Sequence, residues 1–123
     1  MCSGVAPRAE PGEWDVTWAI RNIGPYPIEL REAWLPHGRF RSSRRDFSPP
    51  IQIGPAADAE LTFLVTCAEE PSAVVENAFV ILVMEWRGGA WRIFARLRVP
   101  ITKHGVPAPV TETFTLQGEA EAR

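Results

Sequence analysis

From Trp14 the chain alternates apolar and polar positions: Trp14, Val16, Trp18 and Ile20 take one parity, Asp15, Thr17, Ala19 and Arg21 the other. Successive side chains of an extended strand point to opposite faces, so this pattern predicts a half-buried β-strand. Residues 22–27 interrupt it with Gly24, Pro25 and Pro27, which set turn geometry. Residues 28–35 predict a second strand whose parity slips between Leu30 and Ala33, the mark of a bulge. Residues 36–50 read as a loop, and Ile51, Gln52 and Ile53 as a short edge strand ahead of Gly54 and Pro55. A third clear strand has Leu61, Phe63, Val65 and Cys67 alternating with Glu60, Thr62, Leu64 and Thr66. Residues 69–72 read as a turn.

The most informative stretch is 77–99. Residues 78–86 are rich in β-branched and aromatic side chains, and Gly88-Gly89 follows as a two-residue hairpin turn. With those glycines at the tip, Trp86 lies opposite Trp91, Met84 opposite Ile93, Leu82 opposite Ala95 and Val80 opposite Leu97. All four pairs are apolar, which makes this the core face. The other face pairs Glu85 with Arg92, Val83 with Phe94, Ile81 with Arg96, and Phe79 with Arg98. A helix through 72–86 is the competing reading. Its valines and isoleucine are poor helix formers as a group, and the partner strand has no helical explanation. After Pro100 the pattern weakens to a last edge strand over 110–116.

Short strands separated by Gly and Pro turns, with no good helix, predict an all-β sandwich or barrel. The strand ending Arg21-Asn22-Ile23-Gly24, the turn Ile53-Gly54-Pro55 before Leu61-Thr62-Phe63, and the final hairpin resemble bacterial immunoglobulin-like domains of the CARDB and fibronectin type III sort. The resemblance spans residues 14–99 and implies an antiparallel immunoglobulin-like β-sandwich of about seven strands. It also implies a spacer or adhesion role, and it carries over no catalytic residues. The inter-sheet cysteine pair of antibody domains is missing. The expected organisation is a flexible arm over 1–12, one domain over 13–117 and a flexible tail over 118–123.

The 123 residues are one domain's worth, and 46% apolar with 23% charged residues is ordinary for a globular chain. A net charge of −2 gives no global field favouring nucleic acid or an acidic membrane surface. No apolar run approaches the roughly 18 residues that cross a bilayer. The first twelve residues lack the basic and apolar regions of a secretory signal, so the cytoplasm is favoured while the compartment stays open. Cys2 and Cys67 are the only cysteines, and a disulfide between them is not expected.

The first candidate surface is the outer face of the hairpin, where Phe79, Ile81, Val83 and Phe94 lie with Arg92, Arg96 and Arg98. Aromatic side chains and arginine are enriched at interfaces, so this face is expected to dock another protein or a second copy. The bland alternative is that residues 100–116 fold over it, or that the arginine stems shield the rings. A second candidate is an anion site formed by Arg39, Arg41, Arg44 and Arg45 near His37, against which stands a simply solvated loop. Of five tryptophans, only Trp34 escapes the core parities and offers a carbohydrate platform.

Enzymatic readings find little purchase. His37 and His104 have no triad or metal-ligand spacing, and Cys67 sits on a core parity. A blue-copper site would need two histidines near Cys67 and a weak Met, and Met84 belongs to the hairpin core. Glu69, Glu70 and Glu76 are turn acids with no evident partner. No cofactor and no metal are expected. The function read from the sequence is a non-catalytic protein-interaction or structural module, with a ligand-binding sandwich as the alternative.

Overall fold

Period-two alternation becomes eight strands in the computed structural model, which describes residues 1–36 and 38–118. In chain order they are β1 (Cys2–Pro7), β2 (Glu13–Arg21), β3 (Ile28–Leu35), β4 (Ser42–Ile53), β5 (Asp58–Thr66), β6 (Val74–Trp86), β7 (Gly89–Pro100) and β8 (Val110–Gly118). They make two antiparallel sheets, one of three strands ordered β1-β2-β5 and one of five ordered β4-β3-β6-β7-β8. The inward parities of both sheets meet in one core: Val16 and Trp18 of β2, Leu61, Phe63 and Val65 of β5, and Val80, Leu82, Leu97 and Val99 of β6 and β7. The fold is therefore an all-β sandwich.

The parity slip in β3 is a bulge at Arg31, where pairing to both β4 and β6 shifts between Leu30 and Glu32. It lets Leu30, Ala33 and Leu35 all face the core.

The hairpin exists, in a register two residues away from the expected one. Trp86 pairs with Gly89, so the loop is Arg87-Gly88. Both loop residues have positive φ, 54° and 76°, as a type I′ turn requires. Met84 therefore faces Trp91, Leu82 faces Ile93, Val80 faces Ala95 and Ala78 faces Leu97. A slip of two preserves parity, so every side chain keeps its expected face even though every partner changes. Arginine in the left-handed region is held by stacking. Its guanidinium lies 4.6 Å from the Tyr26 ring centroid and 5.6 Å from that of Trp86, while Trp86 meets Trp91 edge-on at 5.7 Å.

Three other expectations are corrected. The first residues form β1, paired to β2 from Cys2 to Pro7, where a flexible arm was expected. From Ser42 onward the supposed loop is strand β4, which absorbs the short edge strand at its end. Residues 100–116 do not fold over the hairpin, because β8 pairs with β7 and extends the sheet in its own plane. Gly118 ends β8, and the rest of the expected tail, 119–123, lies outside the described residues, as does His37.

Candidate functional site: an open side between the sheets

The two sides of the sandwich differ. On one, the start of β4 is stitched to β5: Arg41, just ahead of β4, and Thr66 exchange both backbone hydrogen bonds, at 3.2 and 2.8 Å, and Arg45 Nη1 of β4 donates to the Thr62 carbonyl. On the other side the three-stranded sheet ends at β1 and does not reach over β8. In β8 the inward parity carries Phe114, opposite Ala95, and Leu116, opposite Ile93. Ala95 is buried and Ile93 half-buried, but Phe114 is 68% exposed and Leu116 51%. The five-stranded sheet overhangs its partner by one strand.

Beneath the overhang an apolar cleft of about 430 Å³ opens between the sheets. Trp18 and Ile20 of β2 and Leu61 and Phe63 of β5 form one wall. Val80, Leu82, Ile93 and Ala95 form the other, with Met1 and Phe114 at the lips. Arg21, Asp58 and Thr111 supply its polar lining, the first two as an ion pair at 3.4 Å. Trp18 is buried with its indole Nε1–H lacking any acceptor among the described residues. Volume and lining suit apolar side chains or a small apolar ligand.

The four sheet edges are protected unequally. An unpaired strand edge invites another strand, and proteins blunt it with proline, charge, bulges or cover. Edge β1 is six residues long and contains Gly4, Pro7 and a register shift after Cys2. Edge β4 has Pro49, Pro50, two arginines and two register shifts. Edge β5 is closed by β4 and carries Asp58 and Glu60. Edge β8 contains no proline, and its one charge, Glu112, sits where the register shifts. From Thr113 to Gly118 it is uncharged.

The outer face of the five-stranded sheet gathers all seven expected docking residues, with Phe94 opposite Ile81, Arg92 opposite Val83 and Arg96 opposite Phe79. Trp34 joins them on the same face, paired with Ile81. Charged neighbours blanket this face. Arg44 stacks on Trp34 at 4.2 Å and pairs with Glu32 at 3.2 Å, and Arg92 approaches the same indole at 5.8 Å. Arg96 Nη2 donates to Asn77 Oδ1 at 2.6 Å, and Arg98 pairs with Glu76 at 3.5 Å. Ile81 retains 9% exposure, while Phe79, Val83 and Phe94 are half-buried.

The four anion-site arginines are dispersed. Arg39 pairs with Glu69, Arg41 donates to the Gly38 carbonyl, and Arg44 and Arg45, adjacent on a strand, engage Trp34 and Phe47 respectively. Among the described residues, no three His, Cys, Asp or Glu side chains come together to hold a metal ion, and no helix is long and apolar enough to cross a membrane. Both cysteines are free thiols; burial pushes Cys67 up to about 11 and also raises Cys2.

The open side was not foreseen from the sequence, because periodicity assigns faces within a strand and not the number of strands in each sheet. Phe114 and Leu116 share a parity within 110–116, which is the only trace the overhang leaves in the sequence. No family model matches the chain, and neither a curated protein nor a solved structure matches it.

Proposed function

We propose that this chain is a non-catalytic protein-interaction module of the immunoglobulin-like kind, and that it docks its partner along the open side of the sandwich. The observation that carries this reading is the uncharged, proline-free run of edge β8 from Thr113 to Gly118, with Phe114 and Leu116 uncovered beside it. Each forgoes part of the roughly 1.5–3 kcal/mol that burial of such a side chain contributes. An incoming extended segment satisfies free backbone groups of β8 and lays apolar side chains toward the cleft, which is recognition by strand addition.

The outer face with Phe79, Ile81, Val83, Arg92, Phe94, Arg96 and Arg98 is the second reading, favoured by the mosaic of aromatic and guanidinium groups around Trp34. A partner there must first displace arginines that already hold Glu32, Asn77 and Glu76. At the open side Phe114 and Leu116 are already exposed among the described residues.

Photo-crosslinking decides between them. A benzophenone side chain is placed at 114, at 94 on the outer face, or at Ile23, a loop residue 91% exposed. The proposal predicts discrete adducts from position 114 in the source cell and none from 94 or 23. Adducts from 94 alone would move the docking surface to the outer face, and adducts from none would remove the interaction reading.

A further inference from the structure

We infer that the occupant of the β8 edge is β8 of a second copy of this chain, joined antiparallel about a two-fold axis normal to the sheet. The inference rests on the open-side reading above and names its partner. Such an axis returns every side chain to its own face, so only registers that oppose residues of equal parity are available. Among those, the register centred on Thr115 opposes Phe114 with Leu116 of the second copy, and Leu116 with its Phe114. Shifting the centre to Phe114 stacks the two phenylalanines and leaves each Leu116 against the irregular segment at Glu112. Shifting it to Leu116 sets Phe114 against Gly118.

The Thr115 register continues rungs that β7 already begins. On the inward face, Ala95 and Phe114 are followed by Leu116 and Ile93 of the second copy, an unbroken apolar row. On the outward face, Thr115 meets its own counterpart and Thr113 meets Gln117, with no charge opposite a like charge. Glu112, the one charge of the strand, falls opposite Gly118, which has no side chain to oppose it. The product is a continuous ten-strand sheet, five strands from each copy, with both clefts on one side. A partner of different sequence has no reason to find this edge uncharged and self-complementary at once.

The test uses the full chain in three forms: wild type, Phe114→Lys with Leu116→Lys, and Phe114→Glu with Leu116→Glu. Light scattering over about 1–100 μM is expected to give twice the chain mass for the wild type and the single-chain mass for each variant alone. An equimolar mixture of the two variants is expected to regain the doubled mass, because each lysine then faces a glutamate. In a Cys2→Ser background, Thr115→Cys is expected to oxidise to a linked dimer, while Thr113→Cys is not. This second arm decides the matter even if a doubly charged variant fails to fold. A wild type that stays at single-chain mass, or a dimer that both variants retain, overturns the inference. A photo-adduct from position 114 at a mass other than twice the chain's would also overturn it, while leaving the open-side docking surface standing.

Discussion

Asn22 Nδ2 donates to the carbonyl of Ile53 at 3.0 Å, joining the end of β2 to the end of β4 across 31 positions of sequence. The same amide donates to the Tyr26 carbonyl at 2.7 Å, and its Oδ1 accepts from the Gly24 N–H at 3.0 Å. Asn22 is the one buried polar residue of the described core, and it is satisfied on both ends of its amide. Removing it strands two carbonyls and one N–H. Asn22→Ala is therefore expected to destabilise by about 2–4 kcal/mol, read as a lower urea midpoint at unchanged slope.

Two neighbouring strands provide a contrast in burial. Leu97 of β7 is fully buried and Phe114 of β8 is mostly exposed, though both project inward. Leu97→Ala is expected to cost about 2–5 kcal/mol through lost burial and the cavity left behind. Phe114→Thr is expected to stay within about 0.5 kcal/mol of wild type when measured dilute enough to keep the chain monomeric. Equal losses at the two positions would mean that β8 is covered after all.

The hairpin turn offers a test of register. Gly88 has φ of 76° with open space where a methyl group would sit, so Gly88→Ala meets only the backbone penalty. About 1–2 kcal/mol of destabilisation is expected, measured by denaturant unfolding. Gly89 has no such φ, and a methyl group there meets the Trp91 Nε1 at 3.2 Å, at the end of a side chain. If Gly89→Ala proves costly while Gly88→Ala is neutral, the loop is not Arg87-Gly88.

The thiols differ in environment. Cys67 is buried, and desolvation first, then the nearby Glu69 carboxylate, lifts it from 9.0 to about 11, leaving on the order of a hundredth of the thiolate of an ordinary cysteine at pH 8. Cys2, half-buried in β1, is raised by the same cause. Iodoacetamide at pH 8 is expected to modify Cys2 first and Cys67 only on unfolding, as followed by mass spectrometry. Because the folded thiol holds its proton longer than the unfolded one, the Cys67 contribution to stability is intact below pH 9 and declines as pH rises from 9 toward 11.

Faces were readable from the sequence and partners were not. The parity of Val16, Trp18, Leu61, Phe63, Val80 and Leu97 places each correctly in the core, because side-chain direction is a local property of a strand. The hairpin register slipped by two because Gly88-Gly89 is the better turn dipeptide in isolation. The choice of Arg87-Gly88 depends on the rings that stack under the arginine, its neighbour Trp86 and, from a distant turn of the fold, Tyr26. Strand β4 was hidden by Pro49, Pro50 and its arginines, the devices that make it a safe edge. Asn22 looked like one more turn residue, since its distant partner Ile53 is not visible in local spacing. The open side depends on how eight strands are divided between two sheets, which no strand records alone.

Amide hydrogen exchange across a concentration series reads the β8 edge itself. At low concentration the outward N–H groups of β8 face water and exchange quickly, and pairing with a second copy slows them. Protection is expected to rise with concentration at alternate residues of 111–118 and to stay constant in β1 and β4. Protection in β8 that does not depend on concentration, or a rise confined to β1 or β4, would contradict pairing through this edge.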